Sequence, residues 1–181
     1  MDKLLIPVIV GTIRPNRKSY QAAKFVKEIG DSFEAIDTRL IDPIEFDFKA
    51  DGNEIEYRNP KYSEITNLAD GFFIVTPEYN HSFPGSLKRM LDSEYDNYSH
   101  KAVAFGGVSN GPWGGVRAIE ALVLTTRTLG LSTISKDLQF PKVQDLFDEN
   151  GNLLDSSYIT KTQNVWRELI WLTAALKKAR Q

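Results

Sequence analysis

Residues 4 to 11, Leu4-Leu5-Ile6-Pro7-Val8-Ile9-Val10-Gly11, decide the fold class. A run of apolar residues, several of them β-branched, that ends at a glycine is typical of a strand buried on both faces. A helix is predicted next, because apolar residues recur at the spacing i, i+3, i+4, i+7 before a glycine ends the run. These residues are Ala22, Phe25, Val26, Ile29 and Gly30. The chain therefore begins with one predicted strand followed by one predicted helix.

The alternation of strand and helix continues along the chain. Further strands are predicted at residues 35–41, 72–75, 102–105 and 131–134, and further helices at residues 62–69, 84–93, around 119–123 and 156–178. Five such alternations favour a three-layer α/β architecture, with a parallel sheet covered by helices on both faces. A typical domain has about 150 residues, so we expect residues 1–181 to form a single domain.

The composition excludes several classes of function. Lys and Arg together number 22 and Asp and Glu 24, and the resulting net charge of −2 gives no general attraction for nucleic-acid phosphates. The chain has no cysteine, which excludes disulfides, cysteine-ligated metal centres and thiol nucleophiles. Any redox chemistry therefore needs a bound cofactor. Residues 31–56 contain nine acidic and two basic residues, which we interpret as a solvated acidic face.

Two features bear on the location of the protein. The apolar runs are far shorter than the ~20 residues that cross a bilayer, so no membrane span is predicted. Met1-Asp2-Lys3 leads directly into the first apolar run, so we expect no secretory signal. The absence of cysteine suits a reducing compartment. These features together predict a cytoplasmic protein.

Three long loops follow the first, third and fourth predicted strands. They comprise residues 11–19, 76–83 and 106–115, and they exceed the ~2 to 6 residues that usually connect such elements. In a five-stranded parallel sheet with the order 2-1-3-4-5, these three strands are neighbours, and ligands bind where the strand order reverses. We therefore expect all three loops to border one crevice.

The first loop has the chemistry of an anion site. Thr12 and Ser19 carry hydroxyl donors. Arg14 and Arg17 can each hold a phosphate through paired hydrogen bonds, and the N-terminus of the next helix adds its dipole. The loop lacks the glycine spacing of Walker and Rossmann motifs, which favours a monophosphate over a nucleoside triphosphate or a dinucleotide. A capped helix start with solvent-exposed arginines is the alternative.

The second and third loops suit a flat heterocycle. The second loop combines a rigid proline with polar and aromatic side chains that can grip the edge of a ring: Pro77, Glu78, Tyr79 and Asn80. The third loop places five glycines around Trp113, so that backbone N–H groups can approach a flat ligand. Taken singly, the second loop could be a simple turn and the third a flexible surface loop.

Motifs in the three loops resemble those of one family. They are Gly11-Thr12-x-Arg14-Pro15-x-Arg17, Pro77-Glu78-Tyr79-Asn80 with Pro84-Gly85-x-Leu87-Lys88, and Ser109-x-Gly111-x-x-Gly114-Gly115-x-Arg117. In this order they resemble the phosphate loop and the two flavin-ring loops of the NADPH-dependent FMN reductases, a flavodoxin-like group that includes quinone and azo-dye reductases. The resemblance covers roughly residues 4 to 130. Asn16, where many relatives have glycine, and the bulky pair Pro112-Trp113 depart from it.

The resemblance implies a flavodoxin-like fold that binds FMN. It places the FMN phosphate on Thr12, Arg14, Arg17 and Ser19. It places the isoalloxazine ring beside Pro77, Glu78, Tyr79 and Asn80, and beside Ser109, Asn110 and Gly111. Because relatives commonly pair through helices, it also implies a homodimer, with a tetramer as the alternative. The apolar stripe of the last helix, widened by Trp166, Ile170 and Trp171, suits either a subunit contact or burial in a monomer core.

The implied function is that of an NAD(P)H-dependent FMN oxidoreductase. In a ping-pong reaction NAD(P)H, as co-substrate, would reduce bound FMN, and a small-molecule acceptor such as a quinone, a flavin or an azo compound would then take the electrons. The flavin carries the hydride chemistry, so we predict no catalytic side chain and no metal ligand. His81 beside the ring loop is a candidate proton donor, with a structural role as the alternative.

Two other classes of function remain open at this point. One is a non-enzymatic FMN electron carrier, and the other is a flavin-dependent sensing or interaction protein. The nearly neutral net charge and the arginines of the first loop favour the reductase.

Overall fold

The structure, a computed structural model, describes residues 3–181; Met1 and Asp2, on which the expectation about a secretory signal partly rests, lie outside the described residues. The helices are α1 (Lys18–Asp31), α2 (Pro60–Leu68), α3 (Gly85–Asp92), α4 (Val116–Thr128) and α5 (Ser157–Arg180). The strands are β1 (Leu4–Leu5), β2 (Val8–Val10), β3 (Ile36–Asp37), β4 (Leu40–Ile41), β5 (Gly71–Pro77), β6 (Ala102–Val108), β7 (Ser132–Thr133) and β8 (Leu138–Phe140).

The strands pair in parallel, as predicted, but their number and order differ in detail from five strands in the order 2-1-3-4-5. Six of them form one sheet in the order β4-β2-β5-β6-β7, with β8 also on β6, and β1 pairs separately with β3. Pro7 has no N–H to donate and separates β1 from β2. The two pairs keep one register, Leu4 with Ile36 and Val8 with Leu40, so β1 and β2 follow a single interrupted path.

The last strand is also interrupted. Ser132 in β7 faces Ala102 of β6, whereas Leu138 in β8 faces Gly106. The register shifts between these two segments, and residues 134–137 belong to neither strand. The sequence pattern ended the predicted strand at residue 134, so β8 was missed.

Hydrophobic residues of β5 and β6 face two layers of helices. On one face, Phe73 packs in a cluster with Phe25 of α1 and Trp166 of α5. On the other face, neighbouring Phe72 packs with residues of α3 and α4, among them Leu87. Successive strand residues point to opposite faces, and both faces are apolar, so the predicted three-layer arrangement is confirmed.

The aromatic residues of α5 divide between core and surface. Trp166 is fully buried, and its indole Nε1–H donates to the backbone oxygen of Val26 at 2.9 Å. Ile170 packs against the same core cluster, while Trp171 is exposed. Burial in the core of the same chain therefore accounts for Trp166 and Ile170 in the wide apolar stripe of this helix, and only Trp171 is left exposed.

Asp70, just before β5, ties the two ends of the described chain together. Its Oδ2 accepts from the backbone N–H of Leu5 at 3.0 Å and from Lys177 at 2.8 Å. Its Oδ1 lies 3.5 Å from Arg180. The first strand and the last helix thus meet at the amino edge of the sheet.

The apolar content of the helices remains modest. Over residues 3–181, none of them combines the length and the hydropathy of a membrane-crossing helix.

Candidate active site

The three long loops meet at the carboxyl edge of the sheet, where β2, β5 and β6 lie side by side. A cavity of about 460 Å³ lies between them. Eight of the predicted site residues line it: Arg14, Arg17, Ser19, Pro77, Glu78, Tyr79, Ser109 and Asn110. Thr12 lies behind this wall, with its Oγ1 3.4 Å from the Tyr79 hydroxyl. Asn80 and Gly111 are exposed and do not line the cavity.

The first loop presents an unused polar group to the cavity. Ser19 is only 2% exposed, yet within residues 3–181 its Oγ has no hydrogen-bond partner. Thr12, by contrast, uses its Oγ1 to accept from the backbone N–H of Arg14 at 3.2 Å. A buried hydroxyl without a partner is costly, so Ser19 suits a ligand atom that accepts a hydrogen bond.

Arg17 forms an ion pair with a carboxylate that was not among the predicted site residues. Its guanidinium forms an ion pair with Asp42, and both side chains are largely buried. The Nε–H of Arg17 is buried and has no partner among the described residues. Asp42 lies in the acidic stretch interpreted as solvated, so that interpretation is wrong for this residue. The ion pair fixes the guanidinium and leaves its buried Nε–H unused.

Asn16 adopts the left-handed backbone conformation, with φ of 54°. Asparagine enters this region more readily than other non-glycine residues. Asn16, which stands where many relatives have glycine, is therefore still compatible with a left-handed backbone conformation at this position of the loop.

The second loop is a tight hairpin. Tyr79 and Ser82 exchange two backbone hydrogen bonds of 2.8 and 3.0 Å. Between them Asn80 and His81 have φ of 50° and 65°, as in a type I′ turn. His81 is exposed at the tip and does not line the cavity, which gives its predicted role as proton donor no support.

The glycines of the third loop differ in what surrounds them. A Cβ on Gly107 would lie 2.5 Å from the backbone oxygen of Gly114, and a Cβ on Gly115 would lie 2.4 Å from the nitrogen of Val108. These positions therefore exclude a side chain because the loop packs on itself and on β6. At Gly111 a Cβ would meet nothing within 4 Å. A flat ligand therefore has open space to approach the backbone at Gly111, as predicted, but not at Gly107 or Gly115.

An ion pair joins the second loop to the first turn of α4, just after the third loop. Glu78 Oε1 lies 3.1 Å from Arg117 Nη1, and the backbone N–H of Arg117 donates to Glu78 Oε2 at 3.2 Å. The guanidinium also lies over the indole of Trp113, 5.7 Å from the ring centroid. This contact was not predicted, although Glu78 and Arg117 both belong to the motifs quoted above.

A second cavity of about 700 Å³ is larger than the one between the loops. It lies between residues 43–51 and α3, and it includes Ile13 of the first loop. None of the predicted site residues lines it. The assignment of the site therefore depends on the convergence of the loops and not on cavity size.

Comparison with known proteins identifies the family. Residues 4–145 match the family model described as NADPH-dependent FMN reductase. The chain belongs to this family. Membership in the FMN reductase family confirms the predicted enzyme class, an oxidoreductase with FMN as cofactor and NAD(P)H as co-substrate.

Two curated relatives show which proteins this chain is similar to in sequence. The NADH:(hydroxy)cinnamate reductase subunit CrdA of Vibrio ruber is 29% identical over 139 residues, which cover 72% of this chain and 68% of that protein. A quinone reductase of Pseudomonas putida is 27% identical over 167 residues, or 84% of this chain and 86% of that protein. Some other curated relatives are matched over about half of their own length.

The structural comparison supports the flavodoxin-like fold. FerB from Paracoccus denitrificans, a flavoenzyme NAD(P)H:(acceptor) oxidoreductase, has a TM-score of 0.77 to this chain at 18% identity, and the match covers 95% of this chain and 98% of FerB. The coarse fold prediction is therefore confirmed.

Proposed function

We propose that the cavity between the three loops binds FMN and that the protein passes electrons from NAD(P)H to quinones. Ser19 carries this proposal, because its buried hydroxyl lines the cavity without a partner in the described part of the chain. A phosphate oxygen would supply the missing acceptor. The guanidinium groups of Arg14 and Arg17 add positive charge, and Arg17 also offers its unused Nε–H as a donor. The N-terminus of α1 adds its dipole.

The isoalloxazine ring would lie between the second and third loops. Tyr79 presents an aromatic ring to the cavity, and the Arg14 guanidinium lies 5.9 Å from its centroid. Ser109 and Asn110 line the cavity from the third loop. When bound, FMN supplies hydride acceptance and two-electron transfer. The side chains then need only bind the cofactor and leave its exposed face open to donor and acceptor in turn.

Quinone reduction balances with NAD(P)H as the only reductant. NAD(P)H loses a hydride, which carries two electrons and one proton. A quinone becomes a hydroquinone by taking two electrons and two protons, and solvent supplies the second proton. The relationship to the Pseudomonas putida quinone reductase supports a quinone as acceptor; flavins and azo compounds are the other acceptors that we propose to assay.

Flavin binding and turnover test this function separately. We expect purified protein mixed with FMN to retain a flavin absorbance spectrum after gel filtration, and to oxidise NADH or NADPH when 2-methyl-1,4-naphthoquinone is added. Retention of FMN without NAD(P)H oxidation would instead indicate an electron carrier. Failure to retain FMN would contradict the proposal itself.

A homodimer also remains a proposal, as does a cytoplasmic location. Leu124 of α4 is 70% exposed and borders a shallow groove between α3 and α4. We propose this face of α3 and α4 as the subunit contact.

A single domain over residues 1–181 is supported by the position of α5. This helix lies beyond the family match, which ends at residue 145, yet it places Trp166 in the core with β5 and α1.

A further inference from the structure

Trp113 stands beside the proposed FMN site with its side chain 63% exposed. It follows Asn110, which lines the cavity, by three positions in the third loop. Single exposed apolar residues are common on protein surfaces and need no special explanation. A role for Trp113 must therefore rest on what holds its indole and where it is held.

Two contacts connect the indole to the cavity wall. The Arg117 guanidinium lies over the indole at 5.7 Å from the ring centroid, within the range of a cation–π interaction. The same guanidinium is paired with Glu78 at 3.1 Å, and Glu78 lines the cavity. A continuous chain of contacts thus runs from the indole through Arg117 to the wall of the cavity.

The backbone on the C-terminal side of Trp113 is tightly constrained. Gly114 and Gly115 have φ of +61° and +80°, and a Cβ on Gly114 would lie 2.6 Å from Cβ of Gln139. The stem of the loop therefore packs against the segment that forms β8. A side chain held on a fixed stem and by a cation loses little conformational entropy when it binds a ligand.

The guanidinium covers one face of the indole, and the exposed fraction indicates that the opposite face is open to solvent. Indole is electron-rich and a quinone ring is electron-poor, so the two rings attract when they stack with an offset. Such aromatic pairs contribute about 0.5–1.5 kcal/mol beyond the burial of their surface.

We propose that Trp113 is a specificity-determining residue that stacks its open face on planar aromatic electron acceptors at the mouth of the FMN site. This inference rests on the proposed function, because it assigns the acceptor a place beside the cofactor. It predicts a preference for aromatic acceptors over acceptors that have no ring to stack.

The test compares Trp113→Ala and Trp113→Phe with Trp171→Ala. Trp171 is a matched control because it is 67% exposed but lies on α5. Each variant is assayed as the FMN-loaded protein with 2-methyl-1,4-naphthoquinone and with ferricyanide, an inorganic acceptor without an aromatic ring. The dissociation constant for FMN and the molar mass in solution are measured for each variant.

We expect Trp113→Ala to raise KM for the naphthoquinone about two- to tenfold, the factor that corresponds to one aromatic stack. The KM for ferricyanide and the affinity for FMN should stay within about twofold of the wild type, and Trp113→Phe should recover most of the naphthoquinone KM. Trp171→Ala should match the wild type with both acceptors.

Three results would overturn the inference while leaving the proposed function intact. In the first, Trp113→Ala and Trp171→Ala have the same naphthoquinone KM. In the second, Trp113→Ala loses activity with both acceptors together with FMN, which would make Trp113 part of the cofactor site. In the third, Trp113→Ala changes the molar mass, which would make it a subunit contact. A wild-type protein that retains no FMN would instead contradict the proposed function.

Discussion

Ser19 combines full burial with an unused hydrogen-bonding group at the start of α1. Its neighbours in the first loop were predicted as a phosphate site from residue types alone, because hydroxyls and arginines ahead of a helix bind anions by a local mechanism. The distinction between Thr12, which already has a partner, and Ser19, which has none, depends on side-chain geometry. Residue types could not provide it.

Replacing Ser19 by Ala is expected to weaken FMN binding about tenfold or more, because a hydrogen bond to a charged acceptor contributes about 1.5–3 kcal/mol. The free energy of unfolding should change by less than about 1 kcal/mol, since no partner within the described residues is lost. Fluorescence titration with FMN and with riboflavin, which has no phosphate, measures the effect.

Ser32→Ala serves as the control for the Ser19 variant, because the Ser32 hydroxyl only donates to Ile29 O at 2.7 Å at the far end of α1. Equal losses of FMN and riboflavin affinity in Ser19→Ala would place its hydroxyl away from the phosphate.

Asp42 shows where prediction at the level of single residues failed. It lies 25 positions from Arg17, inside a run of acidic residues that resembled a solvated surface. The pairing arises because β4, which ends just before Asp42, lies beside β2. The predicted strand order already made these two strands neighbours, so combining that order with the residue types at the strand ends could have found the ion pair.

At the level of elements, the apolar strands were predicted best where they are buried on both faces. β5 and β6 are continuous runs of buried residues, and such runs have few alternatives in an α/β chain. The prediction failed where the pattern is short or interrupted. Pro7 divides the first strand, and β8 has only three residues with an exposed Gln139 between two buried ones. The pairing of β8 with β6 depends on long-range contacts that local patterns do not contain.

Lys101 links two elements at the amino edge of the sheet, and it makes stability depend on pH. Its Nζ donates to Thr66 O at 2.7 Å and Asn67 O at 3.1 Å, in the last turn of α2. Burial, reinforced by the nearby charge of Arg180, lowers the pKa of Lys101 to about 8. Since its pKa in the unfolded chain is near 10.5, the unfolded state binds more protons between these two values.

The free energy of unfolding of the wild type, measured relative to Lys101→Met, is therefore expected to rise as the pH increases from about 8 to about 10. Urea unfolding at several pH values measures this difference, and the subtraction removes groups common to both proteins. Lys178→Met, at an exposed position of α5, controls for the loss of one positive charge. A difference that falls or stays constant over this range would contradict a lowered pKa.

At the scale of the whole molecule, a substitution of the exposed Leu124 on α4 tests the proposed dimer. Leu124→Glu places a charge in the proposed contact and is expected to halve the molar mass measured by light scattering, from twice the chain mass to the chain mass. Leu154→Glu is the control, because Leu154 is 64% exposed and lies outside the helices. A wild-type protein that is already monomeric, or an unchanged mass in the Leu124 variant, would exclude this face as the subunit contact.

Asp70 has a consequence for engineering the chain. By binding Leu5 N–H and the side chains of Lys177 and Arg180, it brings the beginning of the first strand close to the end of α5. Both lie at the edge of the sheet opposite the three loops. A short linker could therefore join these two ends in a circular permutant whose new termini are opened elsewhere on the surface, without passing near the proposed FMN site.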